Sequence, residues 1–164
     1  MHRVGSYYSW SVNGFDADGA EVAERRGDGV GADEREPLLH HDTTGAILGA
    51  FYAVHSELGS GFLEAVYANA LTVLLRGARL QVDRQALFEV VFHGVTIGTY
   101  RADLIVESKI VVEIKAARAI DRAHCAQLLN YLKASKLEVG LLLNFGQSAQ
   151  FSRVVSTNKH PRRL

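Results

Sequence analysis

The sequence predicts an α/β domain: a central mixed β-sheet, made of an antiparallel meander plus one crossover strand, flanked by helices. Three observations predict it. Apolar residues recur at helical spacing through residues 43–58 and 62–77, ahead of the main run of strands. Strand-like segments with short polar turns then follow one another between residues 85 and 115, the pattern of a meander. Last, a helix-patterned stretch opening at Asp121 leads into Val139–Phe145, a near-continuous apolar run expected of a strand covered on both faces. A strand reached through a crossover helix lies beside the meander in a mixed sheet.

Taken in order, residues 1–36 hold 4 Lys/Arg and 8 Asp/Glu, a balance of −4, with glycines scattered through them and no sustained period. They read as an acidic, glycine-rich, poorly ordered leader. Tyr7, Tyr8 and Trp10 form an aromatic knot whose second reading is a docked edge strand. The globular domain is expected over residues 37–157. Its first helix carries the stripe Ile47, Leu48, Phe51, Val54, His55 and Leu58, and Gly59-Ser60-Gly61 breaks it. The second helix is expected to turn Phe62, Val66, Ala70, Leu71, Leu74 and Leu75 inward and to end near Gly77. Residues 85–93 read as a strand, His93-Gly94 as a hairpin turn, and residues 96–106 as the returning strand. A further turn about Ser108 leads to a strand closing at Lys115. Asp121 is the expected N-cap of a helix to about residue 133, with Leu128, Leu129 and Leu132 facing the core. Residues 151–155 read as a last edge strand, and residues 158–164 as a basic tail.

Composition narrows the function classes. A hydrophobic share of 48% suits a soluble globular chain. No run of 18 apolar residues offers a membrane span. The N-terminus lacks the basic flank and apolar stretch of a secretory signal, and the lone Cys125 makes no internal disulfide, so a cytoplasmic setting is expected. Residues 37–164 carry a balance of +4, which permits nucleic-acid binding without demanding it.

The chemistry concentrates between residues 100 and 115. Side chains alternate along a strand, so Glu113 and Lys115 share a face, and a hairpin about Ser108 sets Asp103 abreast of them. Buried charge is expensive unless paired or bound to a metal. Two carboxylates on adjacent strands are hard oxygen ligands for Mg²⁺ or Mn²⁺, and the backbone carbonyl of Ile114 is placed to complete the shell. A lysine two residues from one ligand can orient a water or stabilise developing phosphoryl charge. The competing reading is an exposed salt-bridged rim. Glu64 and Tyr67 share a face of the second helix, where Glu64 also answers as an acid satisfying the helix dipole. Gln127 and Tyr131, four apart, share a face with His124, and a solvated polar face explains His124 as well.

These residues, in this order, resemble the GxxExxY family, a branch of the PD-(D/E)XK nuclease-like superfamily, over residues 38–155. Gly61, Glu64 and Tyr67 match the naming signature. Arg101-Ala102-Asp103 stands where the superfamily has its metal-binding aspartate, with Ala102 in place of the usual proline. Glu113-Ile114-Lys115 matches the (D/E)XK element, and Gln127 and Tyr131 match a QxxxY element. Asn144-Phe145-Gly146 resembles the family's ending of the late strand. The resemblance implies a restriction-endonuclease-like core, with Glu64, Asp103 and Glu113 as ligands of Mg²⁺ or Mn²⁺ and Lys115 assisting the attacking water. It implies Tyr67, Gln127 and Tyr131 as substrate contacts or site support. The expected function is a Mg²⁺-dependent nuclease acting on nucleic acid, DNA favoured, with no membrane association. The alternative is a non-catalytic nucleic-acid-binding or partner-assembly module on the same fold, working with a protein partner or as a homodimer.

Overall fold

In the computed structural model, which describes residues 8–11 and 39–156, the two helical stripes form as a pair ahead of the main sheet. Tyr8–Ser11 is β1, a short strand, and α1 spans His41–Leu58. Ile47, Phe51 and Val54 of α1 are buried, at the four- and three-residue steps that define one helix face. Gly59, at φ +68°, ends α1 by turning its N–H back to the His55 carbonyl at 2.9 Å. α2 spans Glu64–Gly77.

The inward face of α2 matches the expected one at Leu71 and Leu75, with Ala70 partly buried, and differs elsewhere. Tyr67, Ala68, Leu71, Thr72 and Leu75 are buried, whereas Phe62, Val66 and Leu74 are exposed. The reason is phase. The helix begins at Glu64, so Phe62 lies in the loop before it, and Tyr67 with Leu71 and Leu75 sets the packed stripe. Thr72, a polar intruder on that face, satisfies its hydroxyl at the Ala68 carbonyl, 2.7 Å away.

β2 (Val82–Phe92) and β3 (Val95–Val106) pair antiparallel along their lengths around the His93-Gly94 turn, with left-handed φ of 47° and 80°. Glu107 and Ser108, both left-handed, close the next turn into β4 (Ile110–Lys115). α3 (Arg122–Ser135) crosses over to β5 (Val139–Phe145), which runs parallel to β4. β6 (Ala149–Ser156) returns antiparallel, and β1 pairs with its outer side, Tyr8 opposite Ser156. The sheet order is therefore β1-β6-β5-β4-β3-β2. Part of the acidic leader thus joins the sheet as an edge strand. Tyr7, the remainder of the leader and the basic tail 158–164 lie outside the described residues.

The sheet separates two cores. On one side, α1 and α2 cover Leu104, Val106, Ile110, Val112, Ile114, Leu141, Leu143 and Phe145. On the other, α3 sets Cys125, Leu128, Tyr131 and Leu132 against Ala102, Val111, Leu142 and Val154. Each Val, Leu, Ile or Phe among them stabilises the fold by about 1.5–3 kcal/mol when fully buried. β5 is buried at every position, as a strand covered on both faces must be. At Gly140 a Cβ would meet Leu128 at 2.8 Å, so α3 lies close against β5 because that residue has no side chain.

Candidate functional site

The site forms where the sheet splits. The β3–β4 ladder ends at Leu104 opposite Val112, and beyond it β3 leaves with β2 as a two-stranded ribbon. Continuing the register would set Asp103 opposite Glu113. Asp103 uses its side chain there instead: Oδ2 accepts the Ile114 N–H at 2.9 Å, taking the place of a ladder carbonyl. The side chain of Ile114 is fully buried on the α1–α2 side, so it is the Ile114 backbone that meets the cluster. Burial raises the Asp103 pKa against the opposing Ile114 hydrogen bond and Lys115 charge.

Glu113 and Lys115 share a face, as strand alternation requires. Lys115 Nζ donates to Glu113 Oε1 at 2.9 Å, an ion pair with little access to water. Glu113 is only 3% exposed, and its second oxygen, Oε2, is buried without a hydrogen-bond partner among the described residues. Desolvation pushes its pKa up to about 7, against the Lys115 hydrogen bond, with Asp103 and Glu64 adding repulsion. For Lys115 burial works downward, yet the Glu113 hydrogen bond and charge, then Glu64 and Asp103, hold its pKa above the usual value. A salt-bridged rim would be solvated; this pair is not.

Glu64 arrives from the first turn of α2. Its Oε1 accepts the Ala116 N–H at 3.3 Å, tying the helix start to the residue after Lys115. Tyr67, three residues on, is fully buried and stacks on Phe145 with ring centroids 4.2 Å apart. Its hydroxyl donates to the Gly59 carbonyl at 2.8 Å and accepts the Phe62 N–H at 3.2 Å. Together with Gly61, at φ +111°, Tyr67 fixes the loop that aims Glu64 at the strand end.

α3 contributes from the opposite face. Gln127 Nε2 donates to the Tyr131 hydroxyl at 2.8 Å, and Tyr131 packs edge-on against Tyr100. Burial, then the Glu113 charge, raises the Tyr131 pKa, which puts this pair beside the acids. His124 belongs to a capping box: its N–H bonds Asp121 Oδ1 at 2.9 Å and its ring accepts the Asp121 N–H at 3.3 Å.

One residue of this neighbourhood escapes sequence reasoning, and a second, Asn144, enters it only through the ending of the late strand. Gln85 sits in β2 at φ +52°, unusual for a residue with a side chain, and its amide approaches Asp103 Oδ1 at 3.4 Å. No pattern announces that. Asn144, fully buried, clamps both backbone groups of Ala117, its Oδ1 accepting the N–H at 2.8 Å and its Nδ2 donating to the carbonyl at 3.0 Å. Its signal is visible as the polar residue in the apolar run of β5.

The donor set suits a hard divalent cation in chemistry: three carboxylates, the Ile114 backbone and the orphaned Glu113 Oε2. Among the described residues, however, no three acids, histidines or cysteines converge on one point. Each carboxylate is turned toward its own partner: Glu64 to Ala116, Asp103 to Ile114, Glu113 to Lys115.

A mixed sheet between two helical layers, with an acid–lysine cluster at the strand split, defines an α/β domain of the nuclease-like class. The chain belongs to the PD-(D/E)XK nuclease superfamily, whose family model matches residues 41–154. Nucleases of that superfamily commonly use Mg²⁺ or Mn²⁺. No curated protein matches the chain. Among solved structures, one titled crystal structure of SSO0001 is similar at 22% identity and a TM-score of 0.43, covering 71% of this chain and 58% of that one. No helix among the described residues is long and apolar enough to cross a membrane.

Proposed function

We propose that the protein is a Mg²⁺-dependent nuclease of the GxxExxY branch, hydrolysing phosphodiester bonds of nucleic acid, with DNA the preferred substrate. One observation carries the reading: a desolvated Glu113, with an oxygen left unbonded, held beside Asp103 and Lys115. A packed domain gains nothing from such a group. Perturbed acids gathered in a strand notch are what a hydrolytic site requires.

Glu64, Asp103 and Glu113, with the Ile114 backbone, would hold the cation, which supplies Lewis acidity toward water and phosphoryl oxygen. Lys115 Nζ, 2.9 Å from Glu113 Oε1, would orient the attacking water and offset charge on the phosphoryl oxygens. Tyr67 and Asn144 hold the loops on either side of the cluster. Gln127 and Tyr131 support the α3 side of the site or contact the substrate backbone. The free, buried Cys125 accords with a reducing cytoplasm.

Labelled single- and double-stranded DNA and RNA are incubated with Mg²⁺ or Mn²⁺ and wild type, Glu113→Ala or Asp103→Ala. Metal-dependent cleavage that both variants lose supports the reading, and equal cleavage by all three proteins overturns it. A second reading draws on the unconverged carboxylates. In it the chain is a non-catalytic nucleic-acid-binding or partner-assembly module, joined to a protein partner or a second copy. Calorimetry separates the two: nucleic-acid binding with no Mg²⁺ or Mn²⁺ uptake favours the module.

A further inference from the structure

Beyond the acid cluster, two clefts share Gly61 and Ala116 as common wall. One, about 550 Å³, is lined by Phe62, Leu63 and Glu64. The other, about 390 Å³, is floored by Phe145 and Gly146 and carries Arg118. They adjoin at Ala116, the residue after Lys115 at the end of β4, and together make a track along the surface there.

The two ends of this track differ in chemistry. At the first, Phe62 is 48% and Leu63 78% exposed, an aromatic and an aliphatic side chain standing in water beside an acid. The Phe62 backbone is pinned by its N–H to the Tyr67 hydroxyl, and its ring rests edge-on against Tyr67 at 6.2 Å. The ring is therefore held in place with one side open. At the other end, Arg118 is exposed and makes no hydrogen bond or ion pair among the described residues. It lies three residues beyond Lys115, no more than about 10 Å along the chain. The intervening loop is fastened at Ala116 by Glu64 and at Ala117 by Asn144.

We infer that this track binds an unpaired nucleic-acid strand, with a base stacked on Phe62 and Leu63 and a phosphate next to the scissile one held by Arg118. The inference rests on the nuclease reading for the position of the scissile phosphate. A base inside a duplex is stacked on its neighbours and offers no free face to an aromatic on a cleft rim; an extruded or single-stranded base does. The fixed ring and the uncommitted guanidinium are the two components of single-strand binding, a stacking platform and a cation on the backbone. Single-stranded nucleic acid, or a frayed duplex end, is thus the substrate class.

The test measures fluorescence anisotropy of a labelled single-stranded 12-mer and of its blunt duplex in the Lys115→Ala background, so that the strands stay intact. Phe62→Ala is expected to weaken single-strand binding by roughly fivefold to a hundredfold, with duplex binding unchanged. Phe62→Trp is expected to retain affinity and to lose indole fluorescence on binding. Arg118→Ala is expected to flatten the dependence of log K on log salt by about 0.7 for the single strand. Unchanged binding in Phe62→Ala, equal loss for duplex and single strand, an unchanged salt slope in Arg118→Ala, or no binding of either form overturns the inference. Cleavage is assayed alongside with Lys115 intact and replaced. If both cut equally while binding still depends on Phe62, the nuclease reading falls and the strand track stands.

Discussion

Replacing Glu113 by glutamine is expected to stabilise the metal-free protein at alkaline pH and to leave its stability at acid pH unchanged. Glu113 has its pKa raised from 4.5 to about 7, chiefly by burial. A carboxyl whose folded pKa exceeds its unfolded one favours folding most below the unfolded value, and that contribution is lost as pH rises through the folded value. The window is therefore pH 4.5 to about 7. At roughly 1.4 kcal/mol per pH unit, ionised Glu113 destabilises the fold by about 3 kcal/mol at pH 8 relative to its protonated form. Glutamine mimics the protonated form and still offers Lys115 a carbonyl oxygen. Its gain at pH 8 is then about 3 kcal/mol, or roughly 6–12 °C in Tm for a chain of this size. At pH 4 the two proteins should melt together. Calorimetric melting of both, in EDTA, across pH 4–8 reads the difference directly. A Tm gap that does not change with pH, or a variant less stable than wild type at pH 8, refutes the reasoning that Glu113 is a desolvated charge retained at the expense of stability.

Three other outcomes follow from the same geometry. Lys115→Met removes the cation paired with Glu113 at 2.9 Å, so metal-dependent cleavage should fall by at least about 100-fold while the Mg²⁺-binding midpoint, followed by calorimetry, moves to higher pH. Tyr67→Phe removes the hydroxyl that joins Gly59 to Phe62; urea melts should show a loss of about 1–2 kcal/mol, and an unchanged midpoint would mean the loop holds itself. Asn144→Ala strands both backbone groups of Ala117, and urea melts should show a loss of about 2–4 kcal/mol.

The elements were legible because their signals are local. Ile47, Phe51 and Val54 announce α1 by spacing, Asp121 announces the start of α3 by its capping chemistry, and the near-continuous apolar run of β5 announces burial on both faces. The hairpin register was legible too, since a turn about Ser108 leaves only one alignment of Leu104 with Val112. Phase failed at α2, where Phe62 and Leu74 extend the apolar stripe in sequence yet stand in solvent. Spacing alone does not fix the phase to within one residue: Leu71 and Leu75 face inward as expected, but Tyr67 and Ala68, not Val66 and Leu74, complete the face. The cluster's residue types were legible as acids and a lysine at strand spacing. Their energetics were not: the orphaned oxygen of Glu113 and the left-handed Gln85 depend on how the ribbon leaves the sheet. Asn144 takes its place in the site from contacts with a loop far away in sequence.

That the cluster lies at this point follows from the topology. β4 and β5 are the parallel pair, and Lys115 stands opposite Asn144 at the carboxyl ends of both strands. In open α/β sheets the crevice outside those ends is where ligands bind, because the loops leaving neighbouring strands diverge there. Here the β4–α3 loop carries Ala116, Ala117 and Arg118, the β5–β6 turn carries Gly146, and the start of α2 supplies Glu64 from a third direction. A Cβ at Gly146 would meet the Ala117 carbonyl at 2.5 Å, so the two loops close on each other only with glycine there. On the antiparallel side the part of β3 before Leu104 pairs with β2 and not with β4, opening the notch that Asp103 fills with its own carboxylate. Asp103 and Glu113 thus lie where the parallel and antiparallel halves of the sheet part company, and the clefts around Gly61, Ala116 and Gly146 open past the ends of β4 and β5.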